Sequence, residues 1–268
     1  MQTKKLFVLI LLLSITNAGT IGLQTSCNFT NSTLNFLIRN VGNDTAYGIS
    51  IGVYFEGKEV YRSGVGNLVS GDKINFGVPL KIDKRGDYLA IVSISYTDSS
   101  GVPASTLAHC GFSYVFPLAK IILISPPKIT QIDSTHQKLE MNITNLANNE
   151  TTSNFYLVLP SSFLANISTS QLNASFSDVR MYSLPVSLTP GSSRSFSFLI
   201  TYSGVVQGTF EGIAYTTFSR GNDHFTTFVA FPLQATQQNN IYLYILVAIT
   251  IAIVLIITII ILRKRKKA

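Results

Sequence analysis

The sequence predicts an all-β protein, with two tandem immunoglobulin-like β-sandwiches between an N-terminal signal peptide and one C-terminal transmembrane helix. Three observations predict it. Apolar residues recur at every second position through most of the chain. Turn residues interrupt those runs at short intervals. One uncharged apolar run stands close to the C-terminus.

Residues 1–18, MQTKKLFVLILLLSITNA, read as a signal peptide. Lys4 and Lys5 give a positive start, an apolar run too short for a comfortable span follows, and Thr16-Asn17-Ala18 offers small residues for cleavage. An uncleaved anchor is the alternative.

Residues 19–125 form the first predicted sandwich. Leu34, Phe36 and Ile38 alternate with polar neighbours, and Ile49, Ile51, Val53 and Phe55 alternate with Ser50, Gly52, Tyr54 and Glu56. Tyr88, Ala90, Val92, Ile94 and Tyr96 share one face, as do Ala108, Cys110, Phe112, Tyr114 and Phe116. Turns are expected at Val41-Gly42-Asn43-Asp44, Glu56-Gly57-Lys58, Ser70-Gly71-Asp72, Arg85-Gly86-Asp87 and Ser99-Ser100-Gly101. Ser125-Pro126-Pro127 marks the seam, because paired prolines stiffen a linker.

Residues 126–234 repeat the plan. Leu139, Met141 and Ile143 form one inward row, Phe155, Leu157 and Leu159 another, and Phe196, Phe198, Ile200 and Tyr202 follow the turn Thr189-Pro190-Gly191. A short polar stalk, 235–240, leads to the span at 241–262. A helix of that length rises roughly 33 Å at about 1.5 Å per residue, enough to cross a hydrocarbon core. The tail, 263–268, carries Arg263, Lys264, Arg265, Lys266 and Lys267. Basic residues stay on the cytoplasmic side, so the sandwiches are expected outside.

The formal charge of +7 sits wholly at the ends, in Lys4, Lys5 and the five tail cations. The outer part is neutral, which argues against nucleic acid as a partner. The expected partners are membrane lipid at the C-terminal helix and an envelope protein, a glycan or a membrane complex outside.

Gly48-Ile49-Ser50-Ile51-Gly52 matches G-x-S-x-G, but a nucleophile elbow needs a strand-to-helix turn. Ser50 lies inside an alternating run, so it reads as an outward strand serine. The two glycines read as bulges or close backbone approaches. Cys27 and Cys110 read as a disulfide in an oxidising exterior, with two buried free thiols as the alternative. Such a bridge would close a long loop and contribute around 4 kcal/mol. His109, His136 and His224 are scattered; His109 is expected exposed, and His224 in a surface loop beside Asp223. No metal or cofactor motif is present, so no cofactor and no catalysis are expected. N-glycosylation sequons occur at Asn28, Asn31, Asn43, Asn142, Asn149, Asn166 and Asn173.

The run LNFLIRNVGNDTAYGISIGVYFEGKEV, with NLVSGDKINF and GDYLAIVSISYTDSSG, resembles the CARDB-like adhesion-associated domains of bacteria and archaea. The carriers are the apolar strand ending in Asn40-Val41-Gly42, the strand that follows, and the late strand from Gly86 that ends in Asp98. MNITN, LPSSF and LTPGSSRSFSFLI are similar to related sandwich domains of archaeal S-layer-type envelope proteins. The resemblance implies a non-catalytic, glycosylated surface protein acting as a binding, adhesion or spacer module. An accessory ectodomain of a transporter or secretion complex is the alternative.

Overall fold

Alternation at period two becomes strands throughout. The structure, a computed structural model, describes residues 20–166, 171–175, 178–204 and 208–235. The expected signal peptide, the span at 241–262 and the basic tail lie outside the described residues, as does the stalk beyond residue 235. Among the described residues, every helix or strand assigned is a strand, and no helix is long and apolar enough to cross a membrane.

The first sandwich contains β1 (Leu23–Thr30), β2 (Thr33–Asn40), β3 (Ala46–Phe55), β4 (Lys58–Leu68), β5 (Lys73–Pro79), β6 (Arg85–Thr97) and β7 (Pro103–Tyr114). One layer is β1-β2-β5, and it faces β4-β3-β6-β7. Its core holds Leu34, Phe36, Ile38, Ile49, Ile51, Val53, Tyr88, Ala90, Val92 and Ile94, all buried. Glu56 and Gly57, with φ of 51° and 77°, make the two-residue turn of the β3–β4 hairpin. Cys27 and Cys110 are disulfide-bonded, with Cα atoms 5.9 Å apart, and tie β1 to β7.

The second sandwich contains β8 (Ile122–Ile124), β9 (Lys128–Gln131), β10 (His136–Asn145), β11 (Thr151–Pro160), β12 (Phe163–Asn166), β13 (Gln171–Ser175), β14 (Val179–Leu188), β15 (Ser193–Tyr202), β16 (Gly208–Arg220) and β17 (Asp223–Ala235). Its outer layer is β12-β15-β10-β8, with β9 also on β10. Its inner layer is β13-β14-β11-β16-β17. Setting β9, β12 and β13 aside, the strand order matches the first sandwich, with β8, β10, β11, β14, β15, β16 and β17 standing for β1 to β7.

The same buried asparagine closes both copies. Asn40 Nδ2 donates to the carbonyls of Asp44 (2.7 Å) and Leu68 (3.0 Å), while its Oδ1 accepts from Gly42 N (3.0 Å). Asn145 Nδ2 donates to the carbonyls of Asn149 (2.8 Å) and Leu188 (3.0 Å), while its Oδ1 accepts from Ala147 N (2.9 Å). Each asparagine carbonyl also accepts from the glycine of the next turn, Gly71 or Gly191. Gly42 is required in the first copy, because a Cβ there would run into the backbone of Thr20 and Gly22.

Several strands are buried on both faces. In β6 every residue from Tyr88 to Ile94 is buried, and in β16 every residue from Gly212 to Thr216. The reason is a third core. Tyr54, Leu89, Ile91 and Leu107 of the first sandwich pack on Val158, Val179, Met181, Ile213 and Tyr215 of the second. The two inner layers therefore lie against each other, giving four layers in all. Tyr54, expected to point outward, is 1% exposed because the second sandwich covers it. At one corner Asp223 and His224 of β17 pair in parallel with Arg85 and Gly86 of β6. Gly86 thus belongs to a strand and not to the expected turn; a Cβ there would meet the His224 carbonyl.

Replacing Asn145 by Ala removes the side-chain donor from the buried Leu188 carbonyl and from that of Asn149. We expect Asn145→Ala and Asn40→Ala each to cost about 1–3 kcal/mol in denaturant unfolding of the full chain. Reducing the Cys27–Cys110 bridge is expected to cost about 2–5 kcal/mol in the same measurement.

Candidate functional site at the seam between the sandwiches

The apolar seam encloses one carboxylate. Asp178 is 1% exposed and precedes β14. Tyr54 Oη donates to its Oδ1 at 2.9 Å, Arg62 Nη2 to the same oxygen at 3.0 Å and Arg62 Nη1 to Oδ2 at 3.3 Å. Ser93 Oγ donates to Oδ2 as well. Arg62 reaches in from β4 and also holds Glu59 through two bonds of 2.9 and 2.7 Å. Every donor belongs to the first sandwich and the acceptor to the second. Burial pushes the Asp178 carboxyl upward, but the bonds from Arg62, Ser93 and Tyr54 outweigh it and hold the group below the usual carboxylate range.

Gly52 lies beneath this cluster. A Cβ there would stand 2.9 Å from Arg62 Nη2, 3.0 Å from Ser93 Oγ and 3.1 Å from Tyr54 Oη. The glycine leaves room for the cluster. Gly48 adopts φ +58° at a register shift of the β3–β4 pairing. Both glycines of the G-x-S-x-G run thus have backbone roles. Ser50 sits mid-strand, its carbonyl accepting from Ser95 Oγ at 3.5 Å.

At the β17–β6 corner stands His224, buried at 5% exposure. The surface loop expected for it is corrected: the first sandwich covers this end of β17. Its ring stacks on Tyr88 with centroids 4.1 Å apart and planes 2° apart. Nδ1 lies 2.8 Å from the Asp87 carbonyl, and Nε2 lies 2.9 Å from both Thr217 Oγ1 and Glu56 Oε1. The bond from His224 holds the Glu56 carboxyl below its ordinary range, against the effect of burial. Burial and the nearby Glu56 charge push the Tyr88 phenol up to about 12.

Along the other side of the seam runs a groove of about 700 Å³, lined by β1, β7, β16 and β17. His109 Nδ1 meets Glu211 Oε1 at 2.8 Å across it, and its ring tilts against Phe228. His109 is thus half-buried in a contact between domains and not freely exposed. His136 pairs locally with Asp133. The three histidines remain apart, and among the described residues no group of three or more His, Cys, Asp and Glu side chains is placed to hold a metal ion.

Asn28, Asn31, Asn43, Asn142, Asn149 and Asn166 are all exposed. Asn28 and Asn142 lie on β1 and β10, in the two outermost layers. Asn43 and Asn149 occupy matching loops behind the two buried asparagines, and Asn173 lies on β13. The seam residues Asp178, Arg62, Tyr54, Glu56 and Glu211 match no motif. A signal for the seam is present nonetheless. Tyr88-Leu89-Ala90-Ile91-Val92 and Phe155-Tyr156-Leu157-Val158-Leu159 are apolar without interruption, the pattern of strands buried on both faces.

The family model CARDB matches residues 13–99, a stretch that takes in β1 to β6 of the first sandwich. No curated protein matches the sequence. Among solved structures, red sea bream transglutaminase aligns over 77% of this chain and 31% of its own length, at 12% identity and a TM-score of 0.25. Chitinase ChiA74 from Bacillus thuringiensis aligns over 70% of this chain and 28% of its own, at 12% identity and a TM-score of 0.24. This chain spans less than a third of the length of either, and likenesses so slight carry no argument.

Removing the Asp178 carboxylate takes an acceptor from Tyr54 and Ser93 in the seam and leaves Arg62 only its bonds to Glu59 and Tyr54. We expect Asp178→Ala to destabilise the full chain by about 1–3 kcal/mol. Because the folded carboxyl is held low, its contribution is complete above about pH 4 and fades as the pH falls through the lowered value. Asp178→Asn should therefore lose stability at neutral pH and show a shallower acid limb than wild type in unfolding curves taken from pH 2 to 7.

Proposed function

We propose that the protein is a single-pass, glycosylated cell-envelope protein whose outer part acts as a rigid, non-catalytic binding, adhesion or spacer module. The single observation that carries the reading is the CARDB match in a pair of sandwiches joined face to face through a buried seam. A spacer or adhesin must transmit force or hold distance, and a packed apolar seam with an internal ion pair resists hinging. Three further observations support it. The run at 241–262, followed by five cations, fits a stop-transfer anchor with the sandwiches outside. The six exposed sequons suit a surface covered by sugars. The ionisable groups of the seam are engaged with one another, an arrangement for holding two bodies together and not for turning over a substrate.

S-layer subunits are the proposed neighbours, since tandem sandwiches offer strand edges and loops for lateral contact. The test labels intact cells with a membrane-impermeant amine reagent, extracts the membranes with carbonate, and cross-links before solubilisation. The outer lysines should label, the chain should stay in the membrane, glycopeptides should map to the sequons, and an envelope protein should be cross-linked. Release by carbonate, or no labelling on intact cells, would contradict the reading. Recovery of a multi-span permease as the cross-linked neighbour would replace the spacer role with that of an accessory ectodomain.

A further inference from the structure

The His224 corner holds more than a packing contact needs. Both ring nitrogens face oxygen acceptors that join the two sandwiches. Nδ1 is 2.8 Å from the Asp87 carbonyl of β6, and Nε2 is 2.9 Å from Glu56 Oε1 at the β3–β4 turn. A carbonyl and an ionised carboxylate only accept. A ring carrying both protons donates to the Asp87 carbonyl and sets its positive charge 2.9 Å from the Glu56 carboxylate, stacked over the Tyr88 ring at 4.1 Å.

A second partner awaits Nε2. Thr217 Oγ1 lies at the same 2.9 Å, and Thr226 Oγ1 in turn donates to it at 3.4 Å, which leaves the Thr217 hydroxyl hydrogen free to point at the ring. When the ring loses a proton, the loss must come from Nε2, because the Asp87 carbonyl cannot donate to a bare Nδ1. The Nε2 lone pair then takes the Thr217 hydroxyl hydrogen. Glu56, half exposed, loses its counter-charge and turns to water.

We propose that His224 is a proton-operated latch between the two sandwiches: protonated, it ties Glu56 of the first to β17 of the second, and deprotonated, it turns to Thr217 within its own sandwich and releases Glu56.

The surroundings suit this role. Lys58 and Lys84 lie near Glu56, and Asp223, one residue before His224, is paired with Arg85 at 2.5 Å. Tyr88 donates its hydroxyl to the Lys84 carbonyl at 2.7 Å, and burial keeps its phenol neutral through pH 9. His109, paired with Glu211, is the other histidine at the seam, so the test must separate the two. The parallel pairing of β17 with β6 spans two residues there, Asp223 and His224, beside the Arg85–Asp223 pair. A module exposed to the external medium would thus grip this corner more tightly in mildly acidic surroundings than in alkaline ones.

The test uses the full chain in detergent micelles. Imidazole ¹⁵N–¹H correlation spectra from pH 5 to 9 should show His224 doubly protonated at the acid end and as the Nδ1–H tautomer at the alkaline end. Free histidine favours the other tautomer, so this readout is specific to the geometry. Thermal unfolding of wild type and Glu56→Gln should differ by about 2–4 °C at pH 5.5 and coincide at pH 8.5. Glu56 is at the surface, so this variant keeps its core. His109→Gln should leave that difference in place. An Nε2–H tautomer at high pH, or an equal Glu56→Gln effect at both pH values, would overturn the latch.

Discussion

Two inner sheets with apolar residues on both faces leave the chain no alternative to a seam. One face of each fills its own sandwich. The other, carrying Tyr54, Leu89, Ile91 and Leu107 on one side and Val158, Val179, Met181, Ile213 and Tyr215 on the other, has only its counterpart to cover it. Each fully buried side chain of this size contributes about 1.5–3 kcal/mol relative to exposure. That apolar contact supplies the adhesion. The Asp178 cluster supplies the register, since a buried carboxylate tolerates only the arrangement that brings Arg62, Tyr54 and Ser93 to it. Polar groups in an apolar seam thus act as a key: sliding one sandwich over the other would strand a charge.

The repeated asparagine explains how two divergent sequences reach one topology. Asn40 and Asn145 end equivalent strands, and each bonds the backbone of its own loop and the end of a strand in the facing layer. The closure is made by one side chain and the main chain, so the surrounding residues are free to differ. Gly42 against Ala147 shows the latitude. The glycine is needed only where the chain ahead of β1 passes close by.

Much of this is legible in the sequence. The inward rows of β2, β10 and β15, the Glu56-Gly57 turn, the Cys27–Cys110 pair and the strand character of Ser50 follow from period two, turn chemistry and compartment. The seam does not, because alternation describes one face at a time and leaves the opposite residues to solvent. Tyr54 and His224 show the failure: contacts between distant strands leave no local spacing. Their only trace is the uninterrupted apolar run in β6 and β11. Gly52 is legible as a close approach, but that an arginine approaches is decided by tertiary structure alone, and Gly86, which reads as a turn, owes its place in β6 to a carbonyl from the other sandwich.

Two sandwiches joined through such a seam form a single stiff block, with the exposed sequons Asn28 and Asn142 on its outermost layers. That stiffness is the central claim, and a distance between the outermost layers tests it most directly. Spin labels placed at the exposed positions Lys73 and Lys138, one in each outer layer, would be read by pulsed electron resonance in the full chain. One narrow distance distribution is the predicted result. A broad or multiple distribution would mean that the sandwiches swing independently, and that the seam does not lock them together.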